Sequence, residues 1–122
     1  MVKILPEPAR ESLNLTQILD ALADPIRRHL LRRAYEEHQP LACSKASADL
    51  DLSSATLSHH WKVLREAGLT RTTVSGRFRS IQVRNEDINW KFPGLLDVIL
   101  RTEDSNFLPK KSSTDIRDQT SI

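Results

Sequence analysis

Between Asn14 and Leu100 the apolar residues recur at intervals of three and four, interrupted by one stretch in which they alternate with polar ones. The clearest helical period lies in LSSATLSHHWKVLREAGL, Leu52 to Leu69. At roughly 100° of turn per residue, Trp61 falls about 40° and Leu64 about −20° from Leu57, so the three make one apolar stripe. Ala55, His59, Lys62 and Glu66 fall on the opposite side, bordered by Ser58 and Arg65. Ser53 suits the N-cap and Gly68 the left-handed residue that closes a helix, so the pattern predicts a helix from Ser54 to Ala67 with a polar, partly basic outer face.

The rest of the chain reads around this helix. Residues 1–13, with Pro6 and Pro8 and no period, predict an irregular arm. Asn14, with Gln17 at the capping-box position, opens a helix whose apolar set is Leu15, Ile18, Leu19 and Leu22. Asp24 and Pro25 suit the N-cap and first position of a second helix running to about Glu37. Its Ile26, Leu30, Leu31 and Ala34 point inward. Arg27, Arg28, Arg32 and Arg33 point outward or along the flanks, where solvation and pairing with nearby acids are expected. After a connection at His38 to Leu41, Ser44 to Leu50 read as a brief helix, and Asp51, Leu52 and Ser53 turn the chain into the helix at Ser54. A short helix, a three-residue turn and a longer helix with a polar outer face form a helix-turn-helix, whose second helix fits the DNA major groove. Arg71 to Arg84 then read as two β-rich runs hinged on Ser75 and Gly76. Asn85 is placed to cap a further helical stretch with Ile88, Trp90 and Phe92, broken at Pro93 and Gly94. The final Leu95 to Leu100 segment is apolar nearly all round and predicts a subunit interface. Residues 105–122 are polar and mixed in charge, and are expected to be disordered.

Composition narrows this. A chain of 122 residues fits one domain, and its 39% hydrophobic content is modest, so helix packing or a partner subunit is expected to complete the core. No run of about 18 apolar residues exists to span a membrane, and the N-terminus lacks a signal-peptide h-region, so a cytoplasmic location is expected. The one cysteine, Cys43, rules out an intrachain disulfide and a cysteine-rich zinc site; it is expected to be a reduced, partly buried small hydrophobe. His59 and His60 lie about 100° apart on a helix and cannot chelate one ion as an i, i+4 pair does. His59 faces outward, towards a base edge or phosphate; His60 belongs to the edge of the core, and His29 and His38 to the surface or packing. Paired carboxylates, a glycine-rich phosphate loop and a nucleophile-base spacing are all missing, so neither catalysis nor a cofactor nor a metal is expected.

Charge adds a sharper signal. The formal net charge is only +2, yet from Ser53 to Arg84 six basic residues (Lys62, Arg65, Arg71, Arg77, Arg79, Arg84) face one acid, Glu66, while the remaining 12 basic and 15 acidic residues are net negative. Concentrated local charge in a nearly neutral chain is the footprint of a surface that meets phosphates.

The segments LADPIRRHLL, LSSATLSHHWKVLREAGL, GRF and FPGLLDVIL, in this order between about Leu15 and Leu100, together resemble the ArsR family of bacterial winged helix-turn-helix repressors. The resemblance implies a mainly α fold with a small β-hairpin wing, a dimeric winged helix-turn-helix occupying residues 14–104. It implies a sequence-specific DNA-binding regulator, a homodimeric repressor reading an inverted repeat with helix 54–67 and gripping backbone with the wing at 71–84. By position, Ser54, Ala55, Thr56, Ser58, His59 and Lys62 would face DNA, with Arg77 and Arg79 on the wing. Leu15, Ile18, Leu19 and Leu22 of the first helix and Leu95, Leu96 and Ile99 of the last would form the dimer interface. The implied partners are an operator duplex and a second copy, with no membrane and no assigned effector. The chain departs from the family's metal sensors: Leu41, Ala42, Cys43 and Ser44 hold no cysteine pair, and the last helix offers Asp97, Glu103 and Asp104 but no histidine. The alternative reading is a winged-helix module that binds protein through Trp90 to Leu100, without specific DNA binding.

Overall fold

A computed structural model describes residues 2–101 and 108–109. Its helices are α1 (Leu15–Leu22), α2 (Pro25–Tyr35), α3 (Cys43–Ala46), α4 (Ser54–Glu66), α5 (Asn85–Lys91) and α6 (Leu95–Leu100), and its strands are β1 (Val2–Ile4), β2 (Leu41–Ala42), β3 (Thr70–Ser75) and β4 (Phe78–Val83). The strands form one antiparallel sheet in the order β1-β3-β4-β2. The hairpin read from the alternating stretch is therefore the centre of a four-stranded sheet. The arm expected to be irregular supplies one edge, with Val2 opposite Ser75 and Ile4 opposite Thr73. Leu41, expected as connection, and Ala42 next to it supply the other. Strands of three and two residues are too short to show alternation, and only their partners make them visible.

The local signals at helix ends operate as backbone chemistry dictates. The Asn14 side chain accepts a hydrogen bond from the Gln17 amide at 2.9 Å. The reciprocal half of a capping box is absent: Gln17 Nε2 donates instead to the Glu66 carbonyl at 3.1 Å, tying α1 to the end of α4. Asp24 accepts from the Ile26 and Arg27 amides, and Pro25 occupies the first turn of α2. α3 stops at Ala46, well short of Leu50, and the chain continues in tighter turns, with the Ala48 amide on the Lys45 carbonyl and the Leu50 amide on the Ser47 carbonyl. Asn85 does not cap α5; it is the first helical residue, follows Arg84, and its Oδ1 is buried without a partner.

The four α2 arginines are occupied mostly by carbonyls. Arg27 Nε donates to the Ala21 carbonyl at 2.7 Å, and Arg28 donates to the Leu22 carbonyl. Arg32 Nε donates to the Leu100 carbonyl at 2.8 Å, and Arg33 reaches the Lys45 carbonyl and Asp49. Guanidiniums at the carboxyl ends of α1 and α6 satisfy carbonyls that a helix leaves unpaired and meet the negative end of its dipole. These arginines are part of the scaffold.

Ile18, Leu30, Leu31, Leu50, Leu64, Leu69, Ile81, Ile88 and Leu96 are fully buried and draw α1, α2, α4, the sheet, α5 and α6 onto one core. Removing such a side chain from water contributes about 1.5–3 kcal/mol each. The segment expected to be disordered lies mostly outside the described residues, but Leu108 packs against this core and the Pro109 carbonyl accepts a hydrogen bond from the Asp51 amide at 2.6 Å. No helix among the described residues is long and apolar enough to cross a membrane.

Candidate nucleic-acid interface

α4 is fixed at both ends. Ser53 Oγ accepts from the Thr56 amide at 3.1 Å and donates to Thr56 Oγ1 at 2.9 Å. At the other end Gly68, at φ 85°, lets its own amide bond the Arg65 carbonyl and the Leu69 amide bond the Leu64 carbonyl, both at 3.0 Å. This is a Schellman closure, and a Cβ at position 68 would run into the Leu13 side chain. The turn delivers Leu69 into the core and starts β3 one residue later.

Between these ends the two faces separate as the periodicity predicts. Trp61 is 7% and Leu64 0% exposed, with Leu57 half-buried beside them. Ser54, Ala55, Thr56, Ser58, His59 and Lys62 are all exposed. The adjacent histidines diverge. His59 is exposed, whereas His60 is buried, its Nδ1 3.2 Å from Arg27 Nη1. Arginine can only donate, so this nitrogen accepts and the ring is neutral. Burial pushes the His60 pKa below its ordinary value, with the Arg27 and His59 charges adding to that and Asp24 opposing it.

The sheet register sorts the wing arginines. Thr72 pairs with Ile81 and Val74 with Arg79, so Arg79 lies on the hairpin face that carries the buried Thr72 and Ile81. That face turns towards α4, and Arg79 lines a cleft together with Ser54 and Ser58. Arg77 sits in the two-residue turn at the tip. Lys62, Arg77 and Arg79 are exposed and make no ion pair among the described residues.

Two arginines counted in the basic segment are committed elsewhere. Arg71 Nη2 pairs with Glu7 at 2.8 Å. Arg84, with a side chain 4% exposed, pairs with Asp87 at 2.9 Å and donates to the Pro8 carbonyl at 2.7 Å. Arg10 completes the cluster on Asp87 at 2.6 Å. Burial pushes the Asp87 pKa up, but hydrogen bonds and charge from Arg84 and Arg10 outweigh it and the net shift is downward. The Glu7 hydrogen bond, together with the Glu7 and Asp87 charges, outweighs partial burial and raises the Arg71 pKa. Nothing local in the sequence marks these pairings, since Glu7 and Arg71 are far apart along the chain.

The residues assigned to a dimer interface differ in their exposure. Ile18, Leu22 and Leu96 are buried within the single chain, because α1 and α6 each turn part of an apolar circumference onto the domain's own core. Leu15 and Leu19 are about half exposed, Leu95 and Ile99 are half-buried, and Val98 and Trp90 stand out at 68% and 54% exposure. Cys43 is half-buried against the core, and burial raises its thiol pKa against the opposing Arg79 charge. His29 Nε2 meets Asp49 at 3.0 Å. Among the described residues no three or more His, Cys, Asp or Glu side chains come together as a metal site.

The sequence matches the Helix-turn-helix domain family over residues 22–73, from the last residue of α1 through the first four residues of β3. It is 32% identical over 83 residues to the uncharacterized HTH-type transcriptional regulator YceK of Bacillus subtilis, covering 68% of this chain and 83% of that protein. Its fold superposes on the crystal structure of an ArsR family transcriptional regulator with a TM-score of 0.58 and 26% identity, covering 73% of this chain and 98% of that one.

Proposed function

The chain belongs to the ArsR family of winged helix-turn-helix transcriptional regulators, and we propose that it acts as a homodimeric repressor that reads an inverted repeat through α4. The observation that carries this reading is the division of α4 into a buried face and an exposed face. Ser54, Ala55, Thr56, Ser58, His59 and Lys62 form a surface of small and hydrogen-bonding groups. Short side chains allow a helix to approach base edges closely, and serine, threonine and histidine carry the donors and acceptors that base edges require. Lys62, Arg77 and Arg79 flank this surface with charge that no protein acid neutralises among the described residues, which suits phosphate contacts. Homodimerisation draws on the apolar side chains left exposed on α1 and the α5–α6 end, Leu15, Leu19, Trp90 and Val98.

Selection of bound duplexes from a random pool tests the proposal. The expected product is a two-fold symmetric site with half-sites about one helical turn, ~34 Å, or a multiple of it apart. Ser58→Ala or His59→Ala should change which bases are preferred. A pool that shows no enrichment, or variants that lose affinity equally on selected and random duplexes, would overturn base reading by α4.

A further inference from the structure

A cleft of about 170 Å³ opens between α3, α4 and the inner face of the hairpin. Three observations make it more than a gap in packing. Thr72 is 3% exposed, lines the cleft, and its hydroxyl has no hydrogen-bond partner. Arg65, which also lines it, has a buried Nε–H with no partner. Arg79 brings a second guanidinium, and no acidic residue is among the lining side chains. A buried hydroxyl and a buried guanidinium N–H left unsatisfied are each costly, so an occupant that parts the neighbouring side chains and satisfies both is favoured. The remaining walls are Leu57, Trp61 and the Cys43 thiol, which burial keeps neutral.

We propose that this cleft is a binding site for a small organic carboxylate with a compact apolar body. The carboxylate would accept hydrogen bonds from Arg65 Nε and Thr72 Oγ1 and meet the Arg79 charge, while the body lies against Leu57 and Trp61. The volume sets the size: a cavity of roughly 150 Å³ accommodates a benzene ring. A bare inorganic anion would satisfy the guanidiniums but leave the apolar wall uncovered. The site stands on the geometry of the cleft alone. Its coupling to DNA rests on the proposed function, because Ser54, Ser58 and Arg79 belong both to the cleft and to the exposed face of α4 and the wing. A carboxylate that engages Arg79 would draw it from phosphate, and by linkage the ligand and DNA would weaken each other's binding by the same factor.

Titration calorimetry of the full chain, without DNA, against benzoate, benzyl alcohol and inorganic phosphate tests the site. Benzoate is expected to bind saturably and at least tenfold more tightly than the other two. Arg65→Met and Thr72→Val should each weaken benzoate at least tenfold, whereas Thr72→Ser, which keeps the hydroxyl, should retain it; unchanged circular dichroism shows that each variant folds. Absence of saturable benzoate binding, equal binding of phosphate, or indifference to Thr72→Val in a folded variant would overturn the site. A second titration of random duplex with and without saturating benzoate separates the two proposals. If benzoate binds but the duplex does not bind under either condition, the DNA reading fails and the cleft stands; if both bind without mutual weakening, the coupling fails.

Discussion

The hairpin carries arginines at its base and at its tip, and the fold treats them oppositely. At the base, Arg71 and Arg84 are drawn into a cluster with Glu7, Asp87 and Arg10 that fastens the N-terminal arm to the domain. At the tip, Arg77 and Arg79 meet no acid among the described residues. The same residue type therefore does two jobs within one short segment. A local surplus of charge identifies the segment, but only the distant acids decide which charges are still available to a ligand. For phosphate binding, the effective surplus of this stretch is smaller than its composition states.

Four measurements test the contrast. The largest effect is expected from Arg84→Ala, which leaves Asp87 and Glu7 with fewer partners at a buried site. Chemical denaturation should show a loss of about 3 kcal/mol, in the range for breaking a buried charge pair, with no change in the salt dependence of DNA binding once folded. Next is acid stability. The Asp87 pKa is lowered in the folded state, so its contribution is fully present above the unfolded carboxylate value of about 3.9 and lost as pH falls from there through the folded value. Asp87→Asn should lower stability at neutral pH and flatten that acid-side decline; an unaltered decline would place the acid sensitivity elsewhere.

At the tip the expectation reverses. Arg77→Ala should leave stability within about 0.5 kcal/mol. It should reduce the slope of log affinity against log salt by about 0.9 if that arginine meets one phosphate, measured by fluorescence anisotropy over a salt series. An unchanged slope would remove Arg77 from the phosphate contacts. The smallest effect is expected from Glu7→Gln, which releases Arg71 on the outer face of the hairpin. Stability should fall by about 1 kcal/mol or less and the salt slope should not move. A steeper slope would show that a base arginine also reaches DNA and would erase the distinction between the two ends.

How far the sequence reveals all this follows from the range of each interaction. α4 is legible to within one residue because Ser53, Gly68 and the 3.6-residue period act within a few positions of one another. The split between His59 and His60 is legible for the same reason. β1 and β2 are not, since strands of two or three residues exist only through pairing with distant partners. The apolar face of α1 is read correctly as apolar, but its division between the domain's own core and the outside depends on where α2 and α4 lie. The cleft beside Cys43 leaves no trace in the sequence, because an unsatisfied threonine hydroxyl is a property of its surroundings.

The Schellman closure at Gly68 bears on what length changes this protein tolerates. Leu69 alone separates that glycine from the first residue of β3, so there is no slack to absorb an insertion. Because strand side chains alternate faces, one added residue would exchange the two sides of β3, turning Thr72 to solvent and Arg71 towards the core. The number of residues from Ala67 to Thr70 is thus expected to stay fixed as the chain diverges, with neither insertion nor deletion, and the helix and wing to be inherited as a single piece of fixed pitch.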